Sequence, residues 1–155
     1  MAANTDLYER IAKTSKAMVM SHLDAFNAQD TTILSRDLVS DTHRRVAPLT
    51  FEKQFRPTGW SNKQYEDNLA PMFVKFHGMK IEINDVIVDV EKKRSTVHSS
   101  HIWTVPLEGE VVDWPMEFVW ILELNETGDK VLKILEFVDT HYAVTFNQKS
   151  KSKHT

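Results

Sequence analysis

The sequence predicts an α+β domain in which N-terminal helices pack on one face of a curved antiparallel sheet. Three observations carry this. Apolar residues recur at helical spacing from Asp6 to about Ala28, the period changes to two from Lys80 onward, and turn-forming residues at Gly109 and Asn125–Asp129 separate the last strands. Helices first and strands afterwards is the order of an α+β layer, not of alternating βαβ units.

The first helix carries Leu7, Ile11, Met18, Val19, Leu23 and Phe26 on one stripe, with Glu9, Lys13, Lys16 and Asp24 largely opposite. Asn4, Thr5 or Asp6 can cap its start. His22 falls on or beside the stripe, where a histidine is more often a satisfied core residue than a catalyst. Asp30 to Asp41 reads as a turn and a short helix with Ile33, Leu34 and Leu38 inward. Thr42 to Leu49 reads as a short strand or extended arm ended by Pro48, and Phe51 to Gly59 as a loop. Ser61 followed by Gln64 three residues later predicts a capping box, opening a helix with Tyr65, Leu69, Met72, Phe73 and Phe76 inward. Pro71 lies inside that pattern and marks a kink or restart. Strands are expected over Lys80–Glu91, Arg94–Val105, Pro115–Leu124 and Val131–Phe146. Residues 1–146 are thus read as one domain, and 147–155, with Lys149, Lys151 and Lys153 among serines, as a disordered basic tail.

Composition narrows the function. The 155 residues are 41% hydrophobic and 26% charged, as in a globular protein with a proper core. Nineteen basic against 22 acidic residues give a net charge of −3, too balanced for a nucleic-acid binder. The absence of cysteine removes thiol catalysis and thiolate metal sites, and four scattered glycines cannot form a phosphate cradle. No apolar run approaches a membrane span and Asp6, Glu9 and Arg10 interrupt any secretory leader, so a cytoplasmic protein is expected.

Four segments in order resemble the cone-shaped SnoaL-like and nuclear transport factor 2-like fold: Thr42-His43 with Pro48; Ser61-Asn62-x-x-Tyr65; Trp114-Pro115-Met116-Glu117-Phe118-Val119-Trp120; and Ile134-Leu135-Glu136-Phe137-Val138-Asp139-Thr140. The resemblance spans about residues 6 to 146 and points to the fungal branch of that superfamily. It implies a cystatin-like cone with three N-terminal helices on the concave face. It also implies isomerase, cyclase or dehydratase activity on a polyketide or meroterpenoid intermediate, with no cofactor. Pro115-Met116 and Arg44-Arg45 depart from the family pattern.

Side-chain parity yields the candidate site. Glu117 shares a strand face with Val119 and Ile121, and Asp139 shares one with Leu135, Phe137 and His141. A carboxylate enclosed among apolar neighbours loses water and gains a pKa suited to moving protons, so Glu117 and Asp139 are the acid/base candidates. The competing reading pairs each with a lysine or arginine at the sheet rim. Glu136, on the opposite face, is expected to be structural. His43, on the arm near the expected cone mouth, and His101 are candidates for holding an enolate. Tyr65, His101, Trp103 and Phe137 are the expected substrate contacts. His98 and His101, three apart on a strand, point to opposite faces and cannot share a metal, so no metal site is expected. A small hydrophobic substrate follows as the partner, together with a homodimer formed through the apolar face of Phe118 and Trp120. If that even-numbered face is instead the concave one, the Glu117 face points outward.

Overall fold

A computed structural model describes residues 2–54, 56 and 58–151, with side chains from Asn4 onward. Helix α1 (Ala2–Ala28) is followed by a 3-10 turn (Thr31–Ser35), strand β1 (Leu38–Ala47), a short helix α2 (Leu49–Glu52) and helix α3 (Asn62–Lys75). Strands β2 (Gly78–Asp89), β3 (Arg94–Leu107), β4 (Glu110–Leu124) and β5 (Val131–Val138) come next, and helix α4 (Thr140–Lys151) ends the described chain. The five strands form one sheet in the order β1-β5-β4-β3-β2. β2 to β5 are an antiparallel meander, whereas β1 joins the sheet parallel to β5.

Each element has a local cause. Asp30 caps the 3-10 turn by accepting from the Thr32 amide at 3.0 Å. The Ser61 box forms in full: Ser61 Oγ accepts from the Gln64 amide at 3.2 Å and Gln64 Oε1 from the Ser61 amide at 2.9 Å. Pro71 is accommodated within a continuous α3. β4 alternates from Pro115 onward, with Met116, Phe118, Trp120 and Leu122 buried and Glu117 and Ile121 exposed.

The even-numbered face of β4 is therefore the concave one. Trp120, Leu122, Val97, Val131 and Ile134 meet Ile11, Met18 and Val19 of α1 in one core cluster. A second cluster, with Leu34, Tyr65, Phe73, Phe76, Val105 and Phe146, joins the end of α1 to α3, α4 and the far end of the sheet. Phe118 and Trp120 are thus core residues and are not available for a subunit contact, in contrast to the expectation above.

Three further expectations are corrected. Leu38 belongs to β1 and not to a second helix, because the 3-10 turn ends at Ser35. The last strand stops at Val138. There the Asp139 amide makes a final bond to the Glu117 carbonyl at 3.1 Å, and the Asp139 carboxylate caps α4 through the Tyr142 amide at 3.2 Å. Residues 147–151, expected to be disordered, continue that helix; the rest of the expected tail, 152–155, lies outside the described residues. No described helix is long and apolar enough to cross a membrane.

Candidate active site

A cavity of about 350 Å³ opens between the concave sheet, α3, α2 and α4. Its walls are aromatic and aliphatic, with Trp60, Phe73, Phe76, Trp103, Phe118 and Phe146 prominent. Besides the exposed Lys151 at the end of α4, four titratable side chains are set into this apolar lining: His22, Tyr65, His101 and Glu136. A fifth, Glu52, is held by both oxygens on Arg45 Nε, at 2.7 and 3.1 Å.

Glu136 is the centre of the polar floor. It is buried, accepts from Arg44 Nη1 at 3.0 Å, and lies 3.3 Å from the Tyr65 hydroxyl. Arg44 is held in turn by its backbone, which exchanges bonds with Trp60 at 3.2 and 2.8 Å, and its guanidinium stacks 3.6 Å over the Tyr65 ring. Gly59 makes this close approach feasible: its φ of +81° suits glycine, and a Cβ there would meet the Arg44 carbonyl at 2.8 Å. Desolvation raises the Glu136 carboxyl above its usual range, against the opposing pull of Arg44. Desolvation also raises Tyr65, keeping the phenol protonated.

His22 completes the floor. Its Nδ1 lies 3.0 Å from the Val19 carbonyl, one turn back on α1, and a carbonyl only accepts, so Nδ1 carries the proton. Burial lowers its pKa well below the usual value, and Arg44 lowers it further. Nε2 is therefore an acceptor, 3.0 Å from the Tyr65 hydroxyl. With Glu136 ionised, the single phenolic proton faces two acceptors, His22 Nε2 and Glu136 Oε1. A second proton arriving at Glu136 satisfies the whole row. The floor is thus built to take up one proton.

Beside His22, with ring centroids 6.3 Å apart, lies His101; its Nε2 is 3.0 Å from Ser99 Oγ, which also accepts from Trp120 Nε1 at 2.9 Å. Burial pulls His101 down to about 3, so it is neutral. The indole N–H groups of Trp60 and Trp103 are buried without partners among the described residues.

The residues expected from sequence divide in two. Tyr65, His101 and Trp103 line the cavity. Glu117, Asp139, His43 and Phe137 do not reach it. Glu117 is on the outer face, its side chain 60% exposed and 2.5 Å from His98. His43 is exposed on β1, Phe137 is 40% exposed on the outer face, and Asp139 caps α4. The reason is register: Trp120 pairs with Glu136, and facing partners share a side, so Glu136 and not Phe137 or Asp139 joins the concave face. His22 was expected in the core and not in the site, and Arg44, considered only as a partner for an anion near His43, instead holds Glu136. For Glu136, parity with Ile134 and Val138 was the available signal, and only the cross-strand register gives it meaning. Among the described residues no group of three His, Asp or Glu side chains is arranged as a metal-ligand set.

No protein-family model matches the chain. The monooxygenase ptaG of Pestalotiopsis fici is 25% identical over 121 residues, 77% of this chain and 76% of that one. Among solved structures, BvnE pinacolase from Penicillium brevicompactum superposes with a TM-score of 0.78 at 17% identity, covering 95% of this chain and 94% of the other. A SnoaL-like protein of Shewanella denitrificans, assigned as a polyketide cyclase, gives 0.60 at 12% identity, over 89% and 97% of the two chains. Likeness across nearly the whole chain, with the curved sheet, the helices on its concave face and the cavity between them, establishes that the protein has the SnoaL-like, nuclear transport factor 2-like fold.

Proposed function

We propose that the protein is an enzyme of secondary metabolism, acting in the cytoplasm. It isomerises, cyclises or dehydrates a polyketide or meroterpenoid intermediate by acid–base chemistry without a cofactor. The observation that carries this is the buried Glu136 carboxyl on the floor of an aromatic cavity, in contact with a phenol and beside a neutral imidazole. A cavity that accommodates benzene is about 150 Å³, so 350 Å³ has room for two or three rings. The fold hosts other chemistries, and the site, not the fold, supports this reading. That a pinacolase and a monooxygenase from fungi are similar to the chain agrees with a role in such a pathway.

In this mechanism Glu136 takes a proton from the carbon beside a substrate carbonyl. The C–H pair becomes a C=C bond and the carbonyl π pair moves to oxygen. Returning the proton to another carbon isomerises the substrate; giving it to a departing β-hydroxyl releases water and dehydrates it; attack of the enolate carbon on a second carbonyl, whose oxygen takes the proton, closes a ring. Arg44 and Tyr65 hold the carboxylate in place, and the apolar walls keep water from quenching the enolate.

The test is deuterium exchange in D2O with two-ring aromatic ketones and cyclic 1,3-diketones, read by mass spectrometry. Wild type should wash deuterium into the position beside the carbonyl, and Glu136→Gln should slow this by roughly 10²–10⁴-fold. Equal exchange in both proteins overturns the role of Glu136. Binding of these ketones without exchange in wild type favours a non-catalytic binding module.

We also infer a homodimer through the outer sheet face. Val119, Ile121, Leu135 and Phe137 form an apolar strip there, Ile121 and Phe137 being 39% and 40% exposed. One end of the strip carries Lys133 and Arg94 about Glu123, the other Glu82 and Glu117. A two-fold axis through the strip sets each basic end against the partner's acidic end.

A further inference from the structure

We propose that Ser99 fixes His101 as a neutral hydrogen-bond donor to a substrate ketone oxygen, giving the cavity a carbonyl subsite separate from Glu136. The inference rests on the cavity being the reaction site and adds to it the class of group bound at the His101 imidazole.

The argument is a count of protons. The Trp120 indole N–H can only donate, and it donates to Ser99 Oγ at 2.9 Å. Ser99 is fully buried, so its own hydroxyl proton needs an acceptor, and His101 Nε2 stands 3.0 Å away. Accepting at Nε2 leaves the neutral ring with its proton on Nδ1. Among the described residues Nδ1 has no hydrogen-bond partner, while the ring lines the cavity. The ring is clamped between neighbours, 4.5 Å from Phe118 and stacked 6.2 Å from Trp120, so the donor is held in a fixed direction. Burial, which pulls the imidazole down to about 3, keeps it uncharged across the physiological range.

A neutral donor selects its partner. It polarises a carbonyl and bonds the enolate oxygen formed when Glu136 takes the adjacent proton, and an imidazole held neutral by its surroundings is suited to this. It supplies no charge to offset a buried carboxylate; Arg44, the cation of the floor, is already paired with Glu136, and Lys151, the cation of the lining, is exposed at the end of α4. The subsite therefore takes neutral ketones in preference to carboxylic acids. Ser99 is a positioning residue that acts through His101.

The experiment is nitrogen NMR on the full chain labelled with ¹⁵N-histidine, with α-tetralone and its oxygen-free analogue tetralin as probes. In wild type His101 should carry its proton on Nδ1 and show no titration between pH 5 and 8. Tetralone should bind roughly two- to tenfold more tightly than tetralin, the worth of one hydrogen bond. Ser99→Ala should shift His101 toward a mixture of tautomers and erase the preference for the ketone, and Ser99→Thr, which keeps the hydroxyl, should restore both. A wild-type proton on Nε2, an ordinary histidine titration, or equal binding of the two probes overturns the proposal. Glu136→Gln should retain the tautomer and the preference, so loss of proton exchange in that variant leaves this test standing by itself.

Discussion

Glu136→Gln strands a charge, and the size of the penalty follows from the geometry. Arg44 and Glu136 are 3.0 Å apart with side chains 3% and 8% exposed. Glutamine keeps the length and an acceptor for Nη1 but removes the counter-ion, and Arg44 Nη2 already lacks a partner among the described residues. Removing one member of a buried pair costs about 3–5 kcal/mol, and the retained hydrogen bond places this case near the lower figure. For a domain of this length each kcal/mol corresponds to about 2–4 °C, so Tm should fall by about 6–12 °C. Arg44→Met in the same chain removes the stranded charge and should recover part of the loss without restoring proton exchange, because the penalty comes from an uncompensated buried charge. The assay is reversible thermal unfolding by circular dichroism at pH 7 on the wild type and the single and double variants. A Glu136→Gln midpoint within 2 °C of wild type would refute the reasoning, since it would mean the carboxyl carries no charge for Arg44 to lose.

Stability should fall as pH drops below about 6.5. His101 and His22 have folded pKa values below the unfolded one, so the unfolded chain binds protons first; His101 alone contributes about 2 kcal/mol of loss by pH 5. Glu136, raised in the folded state, opposes this below its folded pKa, and His101→Asn should flatten the urea-measured dependence between pH 7.5 and 5. Ile121→Lys should convert a dimer to a monomer in sedimentation at micromolar concentration; a wild-type monomer under the same conditions would remove the interface. Ser61→Ala should cost about 1 kcal/mol in urea unfolding by removing the cap of α3, with the cavity floor unchanged.

The change of period at Lys80 and the Ser61–Gln64 pair made the helices, the meander and one helix start legible, because those signals are local. β1 was legible as a short strand or an extended arm, but its place in the sheet was not, since a parallel partner 90 residues away leaves no mark on its own spacing. The end of β5 was misread because Tyr142, Val144 and Phe146 alternate as a strand does. The competing signal was Asp139 as a cap, with Ala143 and Phe146 at helical spacing. In the site, parity correctly separated Glu136 from Phe137 and Asp139. Which side was hollow depended on where α1 and α3 pack, and that is a tertiary fact. His22 was weighed as a core residue, and it is buried like one. Its role comes from Tyr65, 43 residues further on.

The pairing of β1 with β5 also dictates when the site can exist. Arg44 and Glu136 are 92 residues apart, and among the described residues β1 pairs in the sheet with β5 alone. At roughly 5–20 residues per second, a nascent chain carries Arg44 in water for about 5–20 s before its counter-ion is made. α1 and α3 are already synthesised by then, yet the floor lacks its carboxylate and β1 lacks its sheet partner. A chain interrupted anywhere before Val131 is therefore not a weaker version of the protein but one with an open wall, its aromatic lining exposed to other chains. Quality control on the last twenty or so described residues is, in effect, quality control on the whole site.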